Sequence, residues 1–218
     1  MSVGYLDQAF PAHRRGKNRA RQLNAPEQNL YLWILQQFAG GEPPSAADTK
    51  ERATQNGLDF SAAAASLARD DLVHLGRDGR PLIAYPFSAI SRGHSVTISR
   101  GRRVEAMCAL DALGIATMLA EHIQIDSHDP NTRTPVHVEV GPDGQAEVAP
   151  ATAVVLVGSS CQAGPSYLTC CDTLNFFESS QSAERYLDAH PELTAICLKV
   201  PEATKLANAI FADVLADN

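Results

Sequence analysis

Asp78-Gly79 sits between two short apolar runs, Leu72-Val73-His74-Leu75 and Pro81-Leu82-Ile83-Ala84-Tyr85. An Asp-Gly pair in that setting is a strong hairpin signal, and it predicts two strands around Arg77-Asp78-Gly79-Arg80. The chain ahead of the hairpin reads as helices. Pro26-Glu27 followed by Leu30, Leu32-Trp33, Ile34-Leu35 and Phe38 has helical spacing and stops at Gly40-Gly41. Pro43-Pro44-Ser45 is a turn and N-cap for a second helix to about Gln55, closed by Asn56-Gly57. A third helix runs from about Phe60 to Asp70, with Asp59 or Ser61 as its cap.

Three helices and a hairpin make a winged-helix-like pattern. The expected organisation is therefore a basic arm over residues 1–22, a winged-helix-like domain over 23–87 and a second domain over 88–218. In that second part, His94 to Ser99 and Val136 to Val140 alternate as strands, and Ala153–Val157 and Ala195–Val200 are apolar strands. Arg103 to about Leu119, Ser182 to His190 and Glu202 to Ala216 read as helices. The order is too irregular for repeated βαβ units, so the expected class is α+β, a mixed or antiparallel sheet with flanking helices. No Gly-rich phosphate loop is present.

Charge narrows the partners. The net charge is −7, but residues 1–22 carry Arg14, Arg15, Lys17, Arg19 and Arg21 against Asp7, a local +4 that leaves −11 for the rest. The third helix offers Arg69 and little else to a phosphate or a base edge. Nucleic acid is not the expected partner, because cationic contacts supply most of the affinity in such interfaces. The longest apolar run, Ala151 to Val157, is broken by Thr152 and is far too short to span a bilayer. Five cysteines, an odd number, with no apolar signal segment after Met1 point to reduced thiols in a cytoplasmic protein.

The cysteines carry the chemistry. Met107-Cys108-Ala109-Leu110-Asp111 lies in an apolar stretch, and Thr169-Cys170-Cys171-Asp172 comes shortly before Phe176-Phe177. On a helix Cys108 and Asp111 would share a face, placing an acid beside a thiol. Facing a second thiol from a distant segment, they would make a site for a soft metal ion or for thiol chemistry.

Together these two elements resemble the bacterial organomercurial (alkylmercury) lyases. The resemblance spans about residues 90–205. The family's Cys-Ala-Leu-Asp matches Cys108 to Asp111, and the first cysteine of its Cys-Cys pair matches Cys170. The resemblance implies that Cys108, Asp111 and Cys170 are the catalytic residues and also the mercury ligands. Cys108 and Cys170 would bind the metal, and Asp111 would carry a thiol proton to the departing carbon. Such a relay needs an apolar surround that raises the acid's pKa, which Met107, Ala109, Leu110 and Leu113 would provide. The implied product is a hydrocarbon plus Hg(II), with no resident cofactor. External thiols would support turnover, and cellular thiols or a mercuric reductase would accept the ion. The chain departs from the family at Met107, usually aromatic, at Asp129, a cysteine in familiar members, and at Asp172, often His.

Other candidates read less chemically. Cys171, next to Cys170, is expected to point away from it on an extended segment and to be core. Cys197 in Ala195-Ile-Cys-Leu198 is expected to be strand core, and Cys161 in a Gly/Ser-containing loop is a surface or handoff thiol. His122, Asp126, His128, Asp129 and His137 lack metal-ligand spacing and are expected to be a solvated surface. Ser159-Ser160 after Gly158 does not complete a nucleophile elbow. The alternative to a lyase is a winged-helix regulator responsive to a soft metal, or a protein of the same fold with changed activity. A regulator needs a basic reader helix and has no use for Asp111.

Overall fold

The computed structural model describes residue 20 and residues 22–160, 165–169, 171–212 and 214–215. The expected basic arm therefore lies almost wholly outside the described residues, as do Cys161 and Cys170. Three helices open the described chain: α1 (Ala25–Ala39), α2 (Ala46–Gln55) and α3 (Phe60–Arg69). Each begins where a side chain satisfies an otherwise orphaned N–H group. Asn24 Oδ1 accepts from Glu27 N at 2.9 Å, Ser45 Oγ from Asp48 N at 3.1 Å, and Asp59 Oδ1 from Ala62 N at 2.9 Å. Glu27 reaches back to the Asn24 N–H at 3.2 Å, completing a capping box.

The hairpin follows as β1 (Val73–Leu75) and β2 (Pro81–Ala84), paired antiparallel across Asp78-Gly79. It does not stand apart from what comes next. β3 (Phe87–Ser88) pairs with β2 on one side and β5 (Arg102–Ala106) on the other, so the sheet is continuous through residues 87 and 88. With β4 (Ser95–Ile98), β6 (Ile123–His128), β7 (Pro135–Val140) and β8 (Ala146–Ala149) it forms an eight-stranded antiparallel sheet in the order β1-β2-β3-β5-β4-β6-β7-β8. A second, three-stranded antiparallel sheet has β9 (Val154–Ser160) between β10 (Phe176–Phe177) and β11 (Leu193–Lys199). The class is α+β. No helix among the described residues is long and apolar enough to cross a membrane.

The helix expected from Arg103 begins later than the sequence suggests. Residues Arg102–Ala106 are strand β5, with Val104 and Ala106 buried, and α4 covers only Ala109–Leu119. Pairing with both β3 and β4 outweighs the local helix propensity of that stretch. Strands β6 and β8 and the short helix α5 (Ser166–Thr169) were not anticipated from the sequence. Helices α6 (Ser180–Ala189) and α7 (Val200–Phe211) start two residues earlier than expected.

Helix α4 is buried all round and apolar but for Asp111 and Thr117: Ala109 to Ala116 and Met118 are all buried. A helix of that kind needs cover on every side. It packs against β5 and β6 of the large sheet, β9 of the small one, and α7. The two helices approach closely at Gly114, where an added Cβ would lie 2.3 Å from Cδ2 and 3.1 Å from Cβ of Phe211, itself buried. Gly114→Ala should therefore cost about 1–3 kcal/mol, the usual range for overpacking. Urea unfolding should show a lower midpoint with an unchanged slope; an unchanged midpoint would mean that the α4–α7 contact yields freely.

Candidate active site

Cys108 is the residue on which strand β5 becomes helix α4. Its backbone is extended (φ −158°, ψ 174°), so it is the N-cap of α4 and not a member of the helix. The neighbouring amides hold it there. Met107 N donates to Pro86 O at 3.1 Å, and Ala109 N donates to Leu174 O at 2.9 Å. The cap position turns the sulfur over the first turn of the helix. Cys108 Sγ donates to Asp111 Oδ2 at 2.9 Å, while Asp111 N donates to Cys108 Sγ at 3.4 Å. Thiol and acid therefore meet through capping geometry, and the shared helix face predicted from their spacing is not the cause.

Both groups are buried, Cys108 at 1% and Asp111 at 7% exposure, and Met107 beside them is at 2%. A helix N-terminus normally lowers a thiol pKa. Here burial pushes Cys108 up to about 11, helped by the negative charge of Asp111 and opposed by a hydrogen bond with Cys171. The thiol keeps its proton at neutral pH, on a short path to a carboxylate oxygen. Tyr31, from α1, approaches the same carboxylate; its hydroxyl is fully buried and donates to Tyr85 O at 3.5 Å, and burial and then Asp111 raise its pKa.

The second thiol brought to this point is Cys171. Its Sγ, that of Cys108 and a carboxylate oxygen of Asp111 all lie within 4.8 Å of one another, a group able to hold a metal ion. Cys171 is buried, as expected of a core residue, but it also faces the site. The sequence places it on an extended segment, opposite to Cys170, which lies outside the described residues; the segment itself is not extended. Residues 166–169 are helical and 171–173 form a turn, and Cys171 N donates to Ser166 O at 3.0 Å, a six-residue closure typical of helix ends.

The segment that carries Cys171 is tied to the N-terminal helices and hairpin. The carboxylate of buried Asp71 accepts from Ser166 N at 3.3 Å and from the Ser166 hydroxyl, and pairs with His74 Nε2 at 2.7 Å. His74 meets the Tyr167 ring edge-on at 4.8 Å between centroids. Arg92 pairs with Asp172 and donates to Tyr167 O at 3.4 Å. Sequence reasoning missed Asp71, Ser166 and His74, and contacts spanning 95 residues leave no local signal.

Two further expectations need correction. Asp129 is fully buried and not part of a solvated surface: it accepts from the N–H groups of Asn131 (2.8 Å), Thr132 (3.2 Å) and Glu178 (3.0 Å). Three backbone donors make a buried carboxylate tolerable, so it ties the β6–β7 turn to the end of β10. His122, His128 and His137 are exposed as expected, with His137 paired to Asp126 at 2.7 Å. Cys197 is exposed, because β11 is an edge strand whose next residue, Leu198, takes the buried face.

His94 lies beneath the same framework. Its Nδ1 is 2.9 Å from Ser127 Oγ, and its ring meets Phe176 at 5.9 Å between centroids. Its carbonyl accepts from Ala106 N at 2.9 Å, just ahead of Cys108. Burial lowers its pKa to about 4, with Asn175 opposing and Arg92 adding to the shift. Below pH 6.5 the unfolded chain takes up a proton that the native histidine refuses until about pH 4, so stability falls on acidification through that window. The slope from this one group is at most about 1.4 kcal/mol per pH unit. His94→Gln should flatten the pH dependence of urea unfolding between pH 6.5 and 4 relative to the unsubstituted chain; identical slopes would contradict a neutral buried imidazole.

Known proteins share this arrangement of chain. Residues 87–212 match the model of the family described as alkylmercury lyase. An alkylmercury lyase of Bacillus cereus is 30% identical over 162 residues, covering 74% of this chain and 72% of that one. One of Staphylococcus epidermidis is 27% identical over 183 residues, covering 84% and 82%. Among solved structures, the mercury-bound form of MerB2 superposes with a TM-score of 0.73 at 19% identity, covering 90% of this chain and 95% of that one.

Proposed function

The chain belongs to the alkylmercury lyase family and is an enzyme that cleaves carbon–mercury bonds, and from that premise we propose that Cys108, Asp111 and Cys170 carry the reaction. The observation that supports this most is the 2.9 Å bond from the Cys108 thiol to the Asp111 carboxylate in a buried, apolar setting. Thiolates are the preferred ligands of a soft ion such as mercury. Cys108 displaces the external thiol that escorts the organomercurial, and Cys170 supplies the second sulfur. Asp111 takes a thiol proton and gives it to carbon.

The balance needs nothing more. An organomercurial bound to one external thiol reacts with two protein thiols. The products are the hydrocarbon, the free external thiol and Hg(II) held by two thiolates. The electron pair of the carbon–mercury bond leaves with carbon and is captured by the proton, so mercury is not reduced and no redox cofactor takes part. Cellular thiols or a mercuric reductase then take the ion by thiol exchange. Because the site works only with reduced cysteines, a reducing compartment such as the cytoplasm suits it.

The N-terminal unit, winged-helix-like in its order of elements, serves in this reading as a wall of the site. Tyr31 of α1 borders Asp111, and Asp71 and His74 hold the segment that carries Cys171. The guanidinium of Arg69, the cation of α3, is engaged by Ser66 Oγ at 2.9 Å and Asp70 at 3.4 Å.

The test is direct. Purified protein incubated with an organomercurial and excess thiol should release the protonated hydrocarbon, measured by gas chromatography. Cys108→Ser and Cys170→Ser should each abolish release while leaving circular dichroism unchanged, since a hydroxyl is a poor substitute for a soft thiolate. Substantial turnover in either would exclude the paired-thiol mechanism. Asp111→Asn should still capture mercury but cleave on the order of 100-fold more slowly, the usual scale for general acid–base catalysis. Near-normal cleavage by that variant would assign proton delivery to another group.

A further inference from the structure

We propose that Asp71 is a positioning residue for carbon–mercury cleavage: its carboxylate, at the end of α3, sets the placement of the segment over residues 166–175 against Cys108 and Asp111, and with it the rate of the reaction. The proposal rests on the lyase reading for the chemistry, and on backbone conformation and hydrogen bonding for the residue.

Asp71 stands where a helix end calls for glycine. Helix α3 closes with Leu72 N donating to Leu67 O at 2.9 Å and Asp71 N donating to Ala68 O at 3.1 Å, the paired bonds of a Schellman motif. The motif needs a left-handed residue in the middle, and Asp71 has φ 55°. Helix α2 ends in the same way, with Leu58 N on Ala53 O and Gly57 N on Thr54 O, each at 2.9 Å, and there the left-handed residue is Gly57 at φ 73°. One helix end thus follows the backbone rule and the next departs from it. Such a departure marks a side chain kept for another purpose.

The purpose lies in what the carboxylate touches. Asp71 and Ser166 are both buried, and Asp71 accepts from Ser166 N at 3.3 Å and from the Ser166 hydroxyl, while its other oxygen pairs with His74 Nε2 at 2.7 Å. Ser166 O accepts from Cys171 N at 3.0 Å, and Cys171 Sγ lies within 4.8 Å of Cys108 Sγ and an Asp111 oxygen. A continuous line of hydrogen bonds therefore runs from the end of α3 to the reacting groups. Arg92 with Asp172 also ties the segment, but through side chains 31% and 64% exposed, where an ion pair counts for little. Asp71 itself touches neither substrate nor ion, so the proton and electron balance of the cleavage is unchanged.

The test uses full-length reduced protein. Asp71→Gly gives the helix end its preferred residue and removes the carboxylate; its circular dichroism should match the parent's. Its kcat for hydrocarbon release should fall on the order of tenfold to 100-fold, the scale of misplacing a reacting group by about 1 Å. Asp71→Asn tolerates the same backbone conformation and keeps an oxygen for Ser166, so it should recover most of that loss. Mercuric chloride bound to Asp71→Gly should pass to a competing dithiol at a lower dithiol concentration than the parent requires. Ser166→Ala, which leaves the end of α3 intact, should shift both readouts in the same direction, and adding it to Asp71→Gly should slow cleavage no further, because the two act through one contact. Parent-like kcat and retention in folded Asp71→Gly, no recovery by Asp71→Asn, or additive losses in the double variant would overturn the proposal. Should Asp71→Gly not fold, Ser166→Ala decides alone, and parent-like behaviour in it overturns the proposal. A parent protein that releases no hydrocarbon would instead overturn the lyase reading, and the dithiol competition would still decide the role of Asp71.

Discussion

The bond between the Cys108 thiol and the Asp111 carboxylate is the contact around which the rest of the molecule is arranged. Cysteine is not a favoured N-cap, and its sulfur meets the Asp111 amide only at 3.4 Å. A serine or aspartate at that position would start the helix better. The start of α4 is instead imposed from outside, by β5 running into it and by Pro86 O and Leu174 O accepting the amides on either side of Cys108. A weak local signal held in place by tertiary structure is what is expected where function overrides stability.

The demand for cover then explains the layers. A helix buried on all sides cannot lie on a single sheet face. The large sheet supplies one wall through β5 and β6, and the small sheet, with α7, supplies the other. The small sheet also places Cys171, because residues 171–175 lead into β10, which pairs with β9 at Val154 and Val155. Leu174 O meets Ala109 N in that stretch, so the same turn that caps the helix start carries Cys171 towards Cys108. Gly114 permits the close approach of Phe211 on the far side, which keeps α4 from shifting away from the site.

Much of this was legible in the sequence. The caps at Ser45 and Asp59, the Asp78-Gly79 hairpin and the stop at Gly40 are local signals, and the elements they predict are present. The pairing of Cys108 with Asp111 was readable as well, though for the wrong reason: a spacing of three residues fits both a shared helix face and an N-cap bonded to the third helical residue. What local reading could not reach was set by partners far along the chain. Arg102–Ala106 is strand because β3 and β4 flank it. Cys197 is exposed because it takes the face of β11 opposite buried Leu198, on a strand at the sheet edge among the described residues. Asp129 is buried because Glu178 needs an acceptor for its amide. Cys171 faces the site because a turn, not a strand, carries it.

A thiol whose pKa lies near 11 is a poor nucleophile towards carbon at neutral pH, and that would be a defect in an enzyme working through a free thiolate. It is not a defect when the incoming group is a soft metal. The same burial that makes the anion costly makes any partner that replaces the proton valuable, and a sulfur bound to mercury is effectively neutral where a bare thiolate is not. In the proposed mechanism the displaced proton passes to the carboxylate 2.9 Å away and from there to the departing carbon, which regenerates the carboxylate for the next turnover. In that proposed mechanism burial, an obstacle to chemistry through a free thiolate, couples the capture of mercury to the delivery of the proton.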